Sequence, residues 1–138
     1  MKPIPVGARG SFSLVVTAEH LANRFKDSML PAVLATPVMV LIMENAALNA
    51  IKPYLEGDES AVGTRVDVIH LAATPVGMTA TAHAEVTRVD GRRIEFKVEA
   101  TDGLDTIGTA THERMLINMV RFNERLQQKA DRAAGKQK

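Results

Sequence analysis

The chain has 138 residues, 46% of them hydrophobic and 24% charged, with a formal net charge of +1. That length suits one domain, and the balance is that of a globular protein rather than a disordered or membrane-embedded one. Lys and Arg are scattered, leaving no basic stripe for a nucleic acid, and the absence of cysteine excludes disulfides, thiolate nucleophiles and Cys-type zinc sites.

Residues 1–12 contain Lys2 and Pro3 but no apolar stretch of the kind a secretory signal needs. The longest uninterrupted apolar run, 38–43, is too short to span a bilayer. A cytoplasmic protein is expected, with neither a membrane nor a nucleic-acid partner.

In chain order, residues 10–17 read as a first strand, because Phe12, Leu14 and Val16 alternate with Ser11, Ser13 and Val15. Segment 18–35 reads as a lid or connector. A short helix fits 18–26, and Pro31 interrupts the residues beyond it. Thr36 and Pro37 predict a helix start, with Thr36 as N-cap and Pro37 at the first helical position. The helix then runs from Val38 to about Lys52, where Pro53 stops it. It is apolar nearly all round, so it is expected to be buried on most sides. Something must wrap it.

Glu56, Gly57 and Asp58 mark a loop, and 61–73 reads as a strand. A turn at Pro75, Val76 and Gly77 leads to a strand over 78–89. Asp90 and Gly91 form the strongest hairpin signal in the chain. Two more strands span 92–101 and 106–119, separated by Asp102 and Gly103. Four successive strands with short turns predict an antiparallel meander. Residues 120–133 read as a polar helix, and 134–138 as a disordered tail. The order predicts an α+β chain forming a single hotdog domain over 1–138, a curled antiparallel sheet of about five strands around one long buried helix.

A fold alone does not give a function. Glu44 sits mid-helix among Leu41, Ile42, Met43, Ala46 and Ala47. A carboxylate there loses hydration unless it is paired, and burial raises its pKa. The spacing fits a structural Glu as well as a general base or nucleophile. Thr36 stands where a helix N-terminus offers free N–H groups to a thioester oxygen. Pro37 cannot donate, so Val38 is the first expected backbone donor. His70 shares a strand face with Val66 and Val68; a lone His on an apolar face is more often structural, and beside a buried carboxylate it is a candidate proton carrier near neutral pH. Gly63 opens the same strand region and reads either as simple flexibility or as a place where backbone comes close to ligand. Within the run Thr111, His112, Glu113 and Arg114, His112 and Arg114 share one face. Exposed charge is the default there; the alternative is an Arg paired with a carboxylate or a phosphate. The four His have no ligand-like spacing, so no metal is expected. Thr36 and Glu44 lie roughly 12 Å apart along one helix and cannot touch. Either the substrate spans the gap or Glu44 works with Thr36 of a second subunit, and the second, favoured reading predicts a homodimer.

These residues resemble the fluoroacetyl-CoA thioesterase family of hotdog proteins. The resemblance lies in Thr36 with Val40 to Glu44, in Gly63 and Thr64, and in the run His70, Leu71, Ala72, Ala73, Thr74 and Pro75. It continues in Asp90, Gly91, Arg92 and Arg93, and in Gly108 with Thr111 to Arg114. It implies hydrolysis of a short-chain acyl-CoA to the free acid and CoA. It implies that Thr36, Glu44 and His70 form the catalytic set, that Gly63 and Arg114 line the acyl site, and that no cofactor is needed beyond the CoA of the substrate. Phe25 is the one aromatic of 18–35, which predicts a loosely enclosed acyl group and several accepted short acyl-CoAs. Two other readings stay open: a non-catalytic acyl-CoA-binding dimer, and a hotdog enoyl-CoA hydratase or dehydratase. The latter fits less well, because Asp67 and His70 face opposite sides of a strand.

Overall fold

The computed structural model describes residues 1–136. Its elements are β1 (Arg9–Val15), a 3-10 turn (Ala18–His20), α1 (Ala22–Phe25), α2 (Thr36–Ile51), a second 3-10 turn (Lys52–Tyr54), β2 (Glu59–His70), β3 (Thr79–Asp90), β4 (Arg93–Thr101), β5 (Thr106–Asn118) and α3 (Met119–Lys136). The five strands form one antiparallel sheet in the order β1-β3-β4-β5-β2. With α2 held against its inner face, this is the expected hotdog arrangement. No described helix is long and apolar enough to cross a membrane.

The inner face follows from period-two patterning. On β3, Ala80, Ala82, Ala84 and Val86 are buried, while Thr81, His83 and Glu85 alternate on the outer face. On β4, Ile94, Phe96, Val98 and Ala100 face inward. The alanines of β3 let the helix approach closely. Gly10 does the same from β1, since a Cβ there would collide with the backbone of Ala46 and Ala50. Met39, Ile42 and Met43 project from α2 into this interface at 0–1% exposure, each contributing roughly 1.5–3 kcal/mol by burial.

The sheet order departs from the expected meander. Strands β3, β4 and β5 do form one, and Gly91 at φ 60° makes the turn between β3 and β4. But β2 lies at the far edge beside β5, not beside β3. Residues 71–78 cannot make a two-residue hairpin. Leu71 and Ala72 bond the Ile107 carbonyl at 2.7 and 3.3 Å, so the chain crosses the mouth of the sheet before entering β3. This crossover leaves β2 as an open edge.

Segment 18–35 closes on itself. Leu21 and Leu34 form an isolated antiparallel bridge. The Ala22 N–H bonds the Val33 carbonyl at 2.7 Å, and the Ala35 N–H bonds the His20 carbonyl at 2.9 Å. Between these ties, Phe25 and Met29 stand 55% and 91% exposed. At the other end of the chain, α3 continues through Lys136, so 134–136 are helical where a tail is expected; residues 137 and 138 lie outside the described residues.

Candidate active site

Two polar groups stand along α2, one at its start and one near its middle. The first joins α2 to the end of β2. Thr36 is not the N-cap that the sequence predicts. Ala35 holds that position with extended dihedrals, and Pro37 lies within the first two helical residues. Capping would need the Thr36 hydroxyl, but this group bonds His70 Nδ1 at 2.8 Å instead. The Val38 N–H is not the free donor expected either. It bonds the Ala35 carbonyl at 3.0 Å, as does Met39 at 3.1 Å, and Val38 itself is buried at 6% exposure. Of the first three helical N–H positions, Pro37 has none and Val38 is taken. Thr36 N–H is therefore the one of these three positions left with a donor and no hydrogen-bond partner among the described residues.

His70 is the last residue of β2 and turns toward α2, on the same face as Val66 and Val68. Its Nε2 is shielded from solvent and makes no hydrogen bond within the described residues. Burial holds the imidazole below its ordinary value, with the nearby Ala72 backbone opposing the shift. The ring is thus neutral at pH 7 and able to take a proton.

The second group surrounds Glu44, two helical turns further along. Arg114 projects inward from β5 and is 8% exposed. Its Nη2 donates to the Ala61 carbonyl at 2.8 Å. Its Nη1 donates to His112 Nε2 at 3.2 Å and to the Glu44 carbonyl at 3.4 Å, and lies 3.9 Å from Glu44 Oε2. Nε has no partner among the described residues. His112 Nδ1 lies 2.8 Å from the Arg65 carbonyl and donates to it. With Nε2 accepting from Arg114, the ring is the neutral Nδ1–H tautomer. It also stacks on Phe96, with ring centroids 5.7 Å apart. Burial pushes the pKa of His112 down, against the Arg65 hydrogen bond. Burial also lowers Arg114, with the Glu44 charge opposing.

Gly63 belongs to this second group. A Cβ there would lie 2.8 Å from Glu44 Oε2, 3.4 Å from His112 Cε1 and 3.7 Å from Arg114 Nη1. Its missing side chain leaves the space that these three groups border. Glu44 itself is not buried as the sequence predicts: its side chain is 40% exposed. The physical reason is that α2 lies mainly against β1 and β3. Its other side, carrying Glu44 and the 52% exposed Leu41, looks out past β2.

Five of the six predicted site residues therefore fall into two clusters, Thr36 with His70 and Glu44 with Gly63 and Arg114; the sixth, Val38, has its N–H bonded to the Ala35 carbonyl. Within one chain they do not meet. His112 is the residue that the sequence undersold. The signal was present, since His112 continues the inward alternation of Ala110 and Arg114, a face that a solvated charge run does not share.

A sequence profile described as fluoroacetyl-CoA-specific thioesterase matches residues 16–120. A fluoroacetyl-CoA thioesterase from Streptantibioticus cattleyicolor is 43% identical over 129 residues, covering 90% of this chain and 93% of that protein. A solved structure of the fluoroacetyl-CoA thioesterase superposes with a TM-score of 0.87 at 40% identity, covering 93% of this chain and 98% of that one. Variants of that enzyme have been solved with acetyl-CoA and with fluoroacetate and CoA. A thioesterase superfamily member from Thermus thermophilus superposes at 0.92 with 32% identity, covering 98% and 99% of the two chains. By sequence and by fold, the chain belongs to the family of fluoroacetyl-CoA-specific thioesterases.

Proposed function

We propose that this protein hydrolyses short-chain acyl-CoA thioesters in the cytoplasm, as a homodimer whose two sites are each shared between subunits. The observation that carries the reading is the division of the polar groups. Gly63 and its neighbours lie toward the start of β2, and His70 lies at its end. Strand β2 is an open edge, and open edges invite pairing. Antiparallel pairing of β2 with the β2 of a second copy sets the Glu44 group of one subunit against the Thr36–His70 pair of the other. It also covers Leu41. The lack of cysteine suits a reducing compartment.

In this site the acyl group occupies the space left by Gly63, beside Arg114 and His112. The thioester carbonyl points to the start of α2, where the Thr36 N–H and hydroxyl polarise it. Glu44 attacks the carbonyl carbon, or takes a proton from the water that does. The C–S bond breaks, and in the direct route a water then splits the acyl–Glu44 anhydride. In either route the proton released by the water, taken up by the unpartnered Nε2 of neutral His70, goes to the departing CoA sulfur. The products are the free acid and CoA.

The test is thiol release from fluoroacetyl-, acetyl-, butyryl- and malonyl-CoA, with the mass measured by light scattering. The exposed, aromatic-poor 18–35 segment leads us to expect similar kcat/KM for several short acyl groups, and a mass twice the 15.0 kDa of one chain. Small apolar differences are worth about 1–3 kcal/mol. A fluoroacetyl preference of about a thousandfold or more refutes the loose-lid reading. A monomer at micromolar concentration refutes the shared site. Hydration of an enoyl-CoA without thiol release refutes the reaction.

A further inference from the structure

Four polar or charged residues are buried among the described residues: Thr74, Asp102, His112 and Arg114. The last two belong to the Glu44 group. Thr74 and Asp102 lie elsewhere, and the proposed reaction gives them no task.

Thr74 is fully buried and Asp102 is 6% exposed. The Thr74 hydroxyl donates to Asp102 Oδ2 at 2.9 Å. Asp102 Oδ1 accepts the N–H groups of Leu104 and Asp105 at 3.0 and 2.9 Å. The carboxylate is therefore locked into the turn between β4 and β5, and it holds Thr74 by a charge-assisted bond. The main chain of Thr74 reaches the other way. Its carbonyl accepts the Leu34 N–H at 2.8 Å. Leu34 precedes Ala35, the N-cap of α2, and Thr36 comes directly after. Along the chain, Thr74 comes shortly after His70, in the crossover that Ile107 anchors. The segment that carries His70 and the segment that carries Thr36 are thus tied to each other at Thr74, and Thr74 is tied to the sheet by Asp102.

We propose that Thr74 and Asp102 are positioning residues for the Thr36–His70 pair. They touch no substrate. They set the distance between the Thr36 hydroxyl and His70 Nδ1 by fixing where the start of α2 meets the end of β2. The inference rests on the thioesterase reading and deepens it, since the pair it governs is the one that handles the proton.

A buried hydroxyl–carboxylate pair also stabilises a fold, so the test needs readouts that stability does not move. Thr74→Val keeps the volume and removes the donor; Thr74→Ser keeps the donor. Displacements of a reacting pair by a fraction of an ångström to 1 Å lower rates by about tenfold to a hundredfold. We expect Thr74→Val, assayed well below its melting temperature, to lose about tenfold or more in kcat with KM changed less than about twofold. Thr74→Ser should recover most of that loss. The acid limb of the kcat–pH profile should shift in Thr74→Val, and the His70 ring nitrogen resonances should move with it. If Thr74→Val does not fold, Asp102→Asn, which keeps the shape and the turn, carries the same measurements. A folded variant with native kcat and a superimposable pH profile, altered only in melting temperature, overturns the proposal. If the native enzyme releases no thiol from any acyl-CoA, the thioesterase reading fails instead. The His70 resonances then decide, and an unchanged His70 ring in Thr74→Val overturns the positioning role.

Discussion

Replacing Gly63 by Ala tests the site with one methyl group. The added Cβ would stand 2.8 Å from Glu44 Oε2. Ordinary carbon contacts begin near 3.5 Å, so the carboxylate must retreat by roughly 0.5–0.7 Å. It can do so cheaply, because the Glu44 side chain is 40% exposed and the obstructing atom is the far end of a flexible chain. The neighbours at 3.4 Å (His112) and 3.7 Å (Arg114) tolerate the methyl with little movement. Gly63 is not among the glycines with positive φ, so the backbone accepts Ala without strain. Ala also restricts the unfolded chain by about 0.4–1 kcal/mol, which offsets the crowding. Stability should therefore stay within about 1 kcal/mol of native. Activity should not, since a misplacement approaching 1 Å lowers a rate by about a hundredfold. We expect a loss of roughly tenfold to a hundredfold in kcat/KM for acetyl-CoA, read by a thiol-trapping dye, with an unchanged thermal melt. Near-native turnover in a well-folded Gly63→Ala enzyme removes Glu44 and Gly63 from the reaction centre.

Glu44→Gln should lower turnover by about a hundredfold or more with the fold intact; full activity, measured with the same dye, returns Glu44 to a structural role. His70→Ala should lower kcat more than it raises KM, and a variant that keeps the native pH–rate profile takes His70 out of the mechanism. Burial holds His70 and His112 below their ordinary values, so the unfolded chain binds those protons more readily. Their contribution to stability is complete above about pH 6.5 and is lost as the pH falls below it. Thermal melts between about pH 8 and pH 5 should show Tm falling on the acid side. Asp102, Glu59 and Glu85, held below the usual carboxylate range, act only at lower pH still. A flat Tm over that window contradicts the assigned protonation states.

Local patterning made the elements legible. The alternation on β3 and β4, the hairpin at Asp90 and Gly91 and the apolar run of α2 each depend on residues close in sequence. The sheet order was not legible in that way. Whether β2 joins β3 or β5 is decided by the route of 71–78 over the sheet, a long-range matter. Thr36 shows the same limit. Its position before a proline predicts a cap, but His70, distant in sequence, claims the hydroxyl. Glu44 was recognisable as an anomaly from its apolar neighbours. Its exposure was not, because that depends on which side of α2 the sheet leaves open. Val38 failed as a donor for a reason of register: moving the cap back to Ala35 ties up the Val38 N–H.

The separation of the two polar clusters along β2 bears on the genetics of the enzyme. In a shared-site dimer, Glu44→Gln and His70→Ala damage different halves of each site. A heterodimer of the two carries one doubly damaged site and one site with both native halves. Random exchange of subunits makes about half of the dimers mixed, so mixing two inactive proteins should restore about a quarter of native activity. Two alleles that each abolish function would then complement one another, whereas two alleles striking the same cluster would not.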